Sequence, residues 1–145
     1  MQQSDLERVV SIESQAQVNP WSRTAFTESL ASGHLGQCLL LDQVVVGYLI
    51  VQVIVDELHL LNLVVAPLQQ GQGYAHILMD NLFKLAAQHN CSKIFLEVRE
   101  SNKPAQGLYQ SWGFKHLSVR KNYYQTPNSQ QRETALVYVR ELPTD

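Results

Sequence analysis

Residues 62 to 82 read NLVVAPLQQGQGYAHILMDNL and change character twice. The first part is a β-branched, apolar run ended by a proline, which is typical of a strand. The last part spaces apolar residues three and four positions apart, which indicates a helix with one buried face. Between them, Gly71 and Gly73 leave backbone N–H groups uncovered. The stretch therefore predicts a strand, an open glycine loop and a core-facing helix.

The glycine loop has the composition of an anion-binding site. The first N–H groups of a helix have no partner within the helix and carry the positive end of its dipole, which suits a phosphate. Nucleotide motifs do not fit, because no Gly-Lys-Ser/Thr ending is present and His76 stands where a dinucleotide fingerprint has its third glycine. A turn in which glycine supplies only backbone freedom explains the loop equally well.

Two helices and three strands are predicted before this loop. A capping box at residues 4 to 7, SDLE, starts the first helix, which ends before Pro20. Ser22 caps the second helix, which stops near Gly33. Three successive antiparallel strands are indicated by the apolar runs CLLLD, VVVGYLIVQVIV and LHLLNLVV.

The alternation of strands and helices continues to the end of the chain. KIFLEV at residues 93 to 98 predicts a strand, and the helix that follows is stopped by Gly113. Strands at residues 114 to 123 and 133 to 141 flank a polar loop. The order ααβββαβαββ predicts an α/β fold with a mixed, mostly antiparallel sheet and helices on both faces.

Length and composition limit the classes of protein. The chain has 145 residues, 45% of them hydrophobic, which predicts one domain over residues 1 to 145. A net charge of −2, without a basic cluster beyond residues 120 and 121, argues against a nucleic-acid partner. No signal-peptide layout or membrane-length apolar run is present, so we expect a cytoplasmic protein without a membrane partner. The cysteines and histidines lack metal-ligand spacing, so we expect no metal.

Several segments together resemble one known family. The Q-x-x-G-x-A pattern of Gln70, Gly73 and Ala75 resembles the acetyl-CoA signature of the GNAT N-acetyltransferase superfamily. Five further segments, spread over nearly the whole chain, resemble segments of this superfamily in order and spacing. They are NPWS, NLVVAP, LEVRESN, LYQSWGF and RKNYY. These segments resemble those of bacterial members that acetylate the N-terminal alanine of small-subunit ribosomal protein eighteen. The resemblance implies a GNAT fold, acetyl-CoA as cosubstrate, and a ribosomal protein N-terminal peptide as partner.

The resemblance also implies which residues bind acetyl-CoA. In this superfamily two central strands splay apart, and the freed main chain of Leu63, Val64 and Val65 corresponds to the part that binds the acetyl and pantetheine groups. Asn102 corresponds to a residue that contacts the cofactor. The loop that holds the pyrophosphate corresponds to Gln70, Gly71, Gln72, Gly73, Tyr74, Ala75 and His76.

Two side chains match the catalytic residues of the superfamily. Glu97 corresponds to the general base and Tyr109 to the general acid that protonates the coenzyme A thiolate. The chemistry needs such a base, because an α-amine with a pKa of roughly 7.7 to 8.0 must lose a proton before it attacks a thioester. A solvent-facing strand carboxylate is the alternative for Glu97, a core aromatic for Tyr109, and a helix cap for Asn102.

Three aromatic residues resemble those that line the peptide groove of the superfamily: Trp21, Tyr123 and Tyr124. Each is also explained as an ordinary core or rim aromatic. A lysine or small-amine acetyltransferase, and a non-catalytic module that binds coenzyme A, are the alternative functions.

The chain departs from the superfamily pattern in two places. The strand that usually precedes the first helix is short or missing, which leaves a sheet edge and predicts a monomer or a weak homodimer. Gly71 and His76 stand where relatives often carry basic residues. Binding of the pyrophosphate is therefore expected to depend on backbone N–H groups.

Overall fold

A computed structural model describes residues 1–125 and 132–143 of the chain. The predicted order of helices and strands is confirmed, with each boundary within a few residues of its expected position. The described part of the chain also contains two short 3-10 helices that were not predicted, Gln3–Asp5 and Pro67–Gln69. The main elements are α1 (Leu6–Ala16), α2 (Arg23–Ala31), β1 (Leu35–Leu41), β2 (Val44–Ile54), β3 (Glu57–Val65), α3 (Tyr74–Gln88), β4 (Lys93–Arg99), α4 (Lys103–Ser111), β5 (Lys115–Gln125) and β6 (Arg132–Glu141).

The strands form one sheet in the order β1-β2-β3-β4-β6-β5. The pairs β1–β2, β4–β6 and β5–β6 are antiparallel. The pair β3–β4 is parallel, and its register runs from Glu57 opposite Lys93 to Leu60 opposite Leu96. The predicted mixed, mostly antiparallel sheet is therefore confirmed. Within the described residues no strand precedes α1, and β1 is an end strand of the sheet.

The chain divides into two compact units. The first unit consists of Met1–Gln52 and Leu61–Leu85, and the second of Val53–Leu60 and Ala86–Asp145. Strand β3 contributes its first four residues to the second unit and its last five to the first. Among the helices that the structure describes, none is long and apolar enough to cross a membrane.

The core of the first unit explains why α1 forms where it does. Leu6, Val9 and Ile12 recur at three-residue spacing and are fully buried. Burying such a side chain contributes roughly 1.5 to 3 kcal/mol, so this stripe holds α1 against the strands. The cluster consists of Leu6, Val9, Ile12, Phe26, Val45, Tyr48, Ile50, Val64 and Ala66.

The start of the first helix differs from the prediction. The capping box forms two residues earlier than the predicted SDLE box, between Gln2 and Asp5, and the Asp5 carboxylate accepts a hydrogen bond from the Gln2 N–H at 2.7 Å. The predicted box is wrong because the carboxylate of Asp5 reaches back three residues to a free N–H and a 3-10 turn then precedes α1.

The ends of the second helix agree with the prediction. The Ser22 hydroxyl accepts a hydrogen bond from the Ala25 N–H at 3.0 Å and caps α2. Gly33 follows the helix with φ of 97°, the left-handed conformation that glycine adopts without strain.

Candidate active site

Two residues of the glycine loop in the first unit have backbone conformations that favour glycine. Gly71 and Gly73 have φ of 80° and 86°, a region in which a side chain causes strain. The side-chain amide of Gln70 donates a hydrogen bond to the Val65 carbonyl at 3.1 Å. The first residue of the Q-x-x-G-x-A pattern therefore closes the loop onto the end of β3.

A cavity of about 340 Å³ lies over this loop. Of its eight described lining residues, none is lysine or arginine, and four belong to the start of α3 or directly precede it. An anion in this cavity therefore meets the positive end of the helix dipole and one basic side chain, His76, but no lysine or arginine among these residues. The lining residues are Val65, Gln69, Gln70, Gly71, Gly73, Tyr74, Ala75 and His76.

The end of β3 lies very close to β2. A Cβ atom built on Gly47 would come within 2.9 Å of the Val64 carbonyl oxygen, so only glycine fits there. One residue earlier in β2, the Val46 carbonyl accepts a hydrogen bond from the Ala66 N–H at 2.8 Å. These contacts fix the backbone of the segment that is predicted to bind the acetyl and pantetheine groups.

Glu97 of the second unit lies on the less buried face of β4. Leu96 and Val98 on either side of it are buried, because successive side chains of a strand point to opposite faces. The Glu97 side chain is 30% exposed, and its carboxylate accepts a hydrogen bond from the Arg120 guanidinium at 2.7 Å. Sequence reasoning missed Arg120 as a partner, because the register between β5 and β6 shifts on both sides of it.

Tyr109 is a buried residue of α4. It is 7% exposed, and its ring packs edge-on against Phe114 with centroids 5.9 Å apart. The alternative interpretation of Tyr109 as a core aromatic is therefore correct for the ring. The catalytic role of its hydroxyl stays a prediction.

Asn102 lies where β4 turns into α4. Its side-chain oxygen accepts a hydrogen bond from the Ala105 N–H at 3.2 Å, so the residue caps the helix. A second network braces the preceding residues, since the Glu133 carboxylate accepts hydrogen bonds from the Ser101 N–H at 2.7 Å and from Arg99 at 3.2 Å. Burial alone would raise the pKa of Glu133, but these hydrogen bonds and the charge of Arg99 outweigh it and lower that pKa. The contact of Asn102 with the cofactor stays a prediction.

The residues predicted to line a peptide groove are only partly described. Trp21 is half-buried, and its ring packs against that of Phe26 with centroids 5.1 Å apart. Its backbone N–H donates to the carboxylate of Glu13 at 3.0 Å. The side chains of Tyr123 and Tyr124 lie outside the described part of the chain. Across residues 1–125 and 132–143, no group of three or more acidic, histidine or cysteine residues could hold a metal ion.

Comparison with known families agrees with this arrangement. Residues 6–114 match the acetyltransferase (GNAT) family. The chain therefore belongs to the GNAT acetyltransferase family.

Individual relatives are similar over almost their whole length. The chain is 36% identical over 135 residues to the ribosomal protein bS18-alanine N-acetyltransferase of Haemophilus ducreyi, covering 93% of this chain and 92% of that one. It is 33% identical over 137 residues to the Escherichia coli enzyme of the same name, covering 94% and 91%. The crystal structure of the ribosomal-protein-S18-alanine N-acetyltransferase from Escherichia coli superposes with a TM-score of 0.91, at 31% identity, over 100% of this chain and 92% of that one. The predictions of a GNAT fold and of an acetyl-CoA-dependent N-acetyltransferase are confirmed.

Proposed function

We propose that this enzyme acetylates the N-terminal alanine of ribosomal protein bS18. The observation that carries the proposal is the identity of 33 to 36% to enzymes named for that reaction, over more than nine-tenths of each chain. With a ribosomal protein as acceptor, we infer a cytoplasmic location. Because the similarity covers more than nine-tenths of the chain, we infer a single catalytic domain over residues 1 to 145.

Acetyl-CoA binds, in this proposal, along the end of β3 and over the glycine loop. The register of β3 with β4 covers Glu57 to Leu60, and the later residues Leu63, Val64 and Val65 offer backbone groups to the acetyl and pantetheine portion. The cavity over Gly71 to His76 lies at the start of α3, where the helix dipole and the first backbone N–H groups suit a pyrophosphate. Asn102 contacts the cofactor while it caps α4.

The transfer proceeds by direct attack of the acceptor amine. Glu97 takes a proton from the α-amine through a water molecule, and the nitrogen lone pair then attacks the thioester carbonyl. A C–N bond forms, the C–S bond breaks, and Tyr109 gives its phenol proton to the departing thiolate. The nitrogen loses its second proton as the amide forms, and this proton returns through water to the Tyr109 oxygen. The Arg120 hydrogen bond occupies one site on the Glu97 carboxylate and leaves further lone pairs to accept the proton.

The proposal is tested by incubating the protein with acetyl-CoA and a peptide that carries the bS18 N-terminal sequence. We expect the peptide to gain the mass of one acetyl group, located on the N-terminal alanine by fragmentation. The matched control is the same peptide with a blocked N-terminus. Acetylation of the blocked peptide would identify a lysine acetyltransferase instead. An unchanged free peptide, together with measured acetyl-CoA binding, would indicate a non-catalytic module.

A further inference from the structure

Glu13 is a buried carboxylate that the proposed reaction does not use. It lies on α1 and is 1% exposed. One carboxylate oxygen accepts hydrogen bonds from the Tyr48 hydroxyl at 2.6 Å and from the Asn62 side-chain amide at 3.0 Å. The other accepts from the Trp21 backbone N–H at 3.0 Å. Burying a carboxylate is costly unless it is hydrogen-bonded, and here three donors satisfy the two oxygens of Glu13. Such a specific network calls for an explanation.

The three donors come from three different segments of the first unit. Tyr48 belongs to β2, Asn62 belongs to β3, and Trp21 belongs to the connection between α1 and α2. That connection has a second tie to β3, because the Gln17 side-chain amide donates to the Asn62 side-chain oxygen at 3.1 Å. In β3, Asn62 comes directly before the residues that are proposed to bind acetyl-CoA. The network therefore joins the α1–α2 connection to the cofactor-binding strand.

Contacts between aromatic rings also link the α1–α2 connection to β2. Trp21 packs on Phe26, and the Phe26 ring meets the Tyr48 ring edge-on with centroids 5.9 Å apart. Trp21 is thus held by its ring on one side and by its backbone N–H on the other. A short connection between helices otherwise has freedom that a binding partner must remove, at a cost in affinity.

We propose that Glu13 is a positioning residue for the acceptor peptide. Its carboxylate fixes the backbone at Trp21, in the connection proposed to contact the peptide, relative to the strand proposed to bind acetyl-CoA. This inference rests on the proposed function and adds to it a residue that touches neither substrate. Glu13 acts by keeping the peptide-contacting connection in its binding conformation before the peptide arrives.

The Glu13→Gln substitution separates this role from simple filling of space. Glutamine has the same shape but only one acceptor oxygen, so it cannot accept from Trp21 on one side and from Asn62 on the other. If Asn62 turned its amide to accept from the glutamine, it would lose the hydrogen bond that its oxygen now accepts from Gln17, unless Gln17 turned as well. Trp21 lies in a connection rather than in a strand, so we expect its N–H to be the donor that is released.

The matched control is Glu7→Gln, which makes the same chemical change at an exposed position of the same helix. For Glu13→Gln we expect the KM for the bS18 peptide to rise about tenfold, while kcat and the acetyl-CoA dissociation constant each stay within about threefold. For Glu7→Gln we expect all three to match the wild type. An unchanged peptide KM in a folded Glu13→Gln variant would overturn the proposal.

Hydrogen exchange at the Trp21 amide tests the bond without reference to activity. We expect this N–H to be protected in the wild type and to exchange at least about tenfold faster in Glu13→Gln, as measured by NMR. An unprotected Trp21 amide in the wild type would overturn the proposal even if the variant fails to fold. If the wild type acetylates no peptide, the proposed function fails, and the exchange rates still decide whether Glu13 holds the connection.

Discussion

Two glutamates, one in each unit, show how surroundings give the same side chain different uses. Glu13 is 1% exposed and accepts hydrogen bonds from three neutral donors. The Glu97 side chain is 30% exposed and is paired with a cation, Arg120, whose side chain is 50% exposed. The first carboxylate is enclosed by its partners, whereas the second is partly open to solvent, as is its partner.

The difference follows from the strength of polar contacts in the two settings. Hydrogen bonds are stronger in an apolar interior, and an unsatisfied donor there is costly, so the Glu13 network stabilises one arrangement of the chain. An ion pair near solvent contributes only about 0 to 1 kcal/mol, so the pair at Glu97 is easily rearranged. We infer that Glu13 serves the structure and that Glu97 is available for proton transfer.

The largest expected effect is on catalysis at Glu97. Glu97→Gln removes the proposed base and is expected to lower kcat/KM for peptide acetylation by about 10²- to 10⁴-fold. The free energy of unfolding should change by less than about 1 kcal/mol, since the site is partly exposed. Glu100→Gln, at an exposed position in the turn after β4, is the matched control. Wild-type kinetics in Glu97→Gln would show that Glu97 is not the general base.

The next effect is on stability at Glu13. Glu13→Ala leaves two buried donors and one partly buried donor without an acceptor, at roughly 1 to 3 kcal/mol for each buried one, and adds a cavity. We expect the free energy of unfolding in urea to fall by about 3 kcal/mol or more. The exposed Glu7→Ala on the same helix should change it by no more than about 0.5 kcal/mol. A loss below about 1 kcal/mol for Glu13→Ala would contradict the contrast between the two glutamates.

A smaller effect appears in the dependence of stability on pH. Burial, the hydrogen bond to Glu13 and the charge of Glu13 raise the pKa of Tyr48. Above about pH 10 the unfolded chain loses the tyrosine proton while the folded chain keeps it, so stability falls by up to about 1.4 kcal/mol per pH unit. Below that pH the contribution is fully present.

This pH dependence is measured by urea unfolding of the wild type and of Tyr48→Phe between about pH 8 and pH 11. Burial also raises the pKa of Cys38 to about 11, which adds a loss of the same sign in both proteins. The difference between the two curves therefore isolates Tyr48. Parallel curves above pH 10 would show that Tyr48 ionises as readily in the folded chain as in the unfolded one.

The smallest effect concerns the partner of Glu97. Arg120→Gln removes an ion pair whose side chains are 50% and 30% exposed, so the free energy of unfolding should change by no more than about 1 kcal/mol. The change should shrink further in 1 M salt, where charges are screened within about 3 Å. Arg23→Gln, at an exposed residue of α2, is the control. A loss near that of Glu13→Ala would mean that both glutamates are structural.

Local signals in the sequence predicted much of the fold and part of the site. Proline and glycine ended elements where expected, as Gly33 does after α2, and apolar periodicity separated helices from strands. Strand alternation separates Glu97 from its neighbours Leu96 and Val98, and the structure shows that the face with Glu97 is the less buried one. The choice of capping box failed, because Asp5 and Glu7 both offered a carboxylate at an acceptable spacing and sequence did not rank them.

The sequence by itself determined the element order, the glycine loop and the residue types available for chemistry, because these depend on contacts among residues close together along the chain. Only the tertiary structure decided which partner each carboxylate has. Glu13 meets Tyr48 and Asn62, which are 35 and 49 residues away, and Glu97 meets Arg120, which is 23 residues away. Such partners depend on strand register and on packing of the core, which no local pattern encodes.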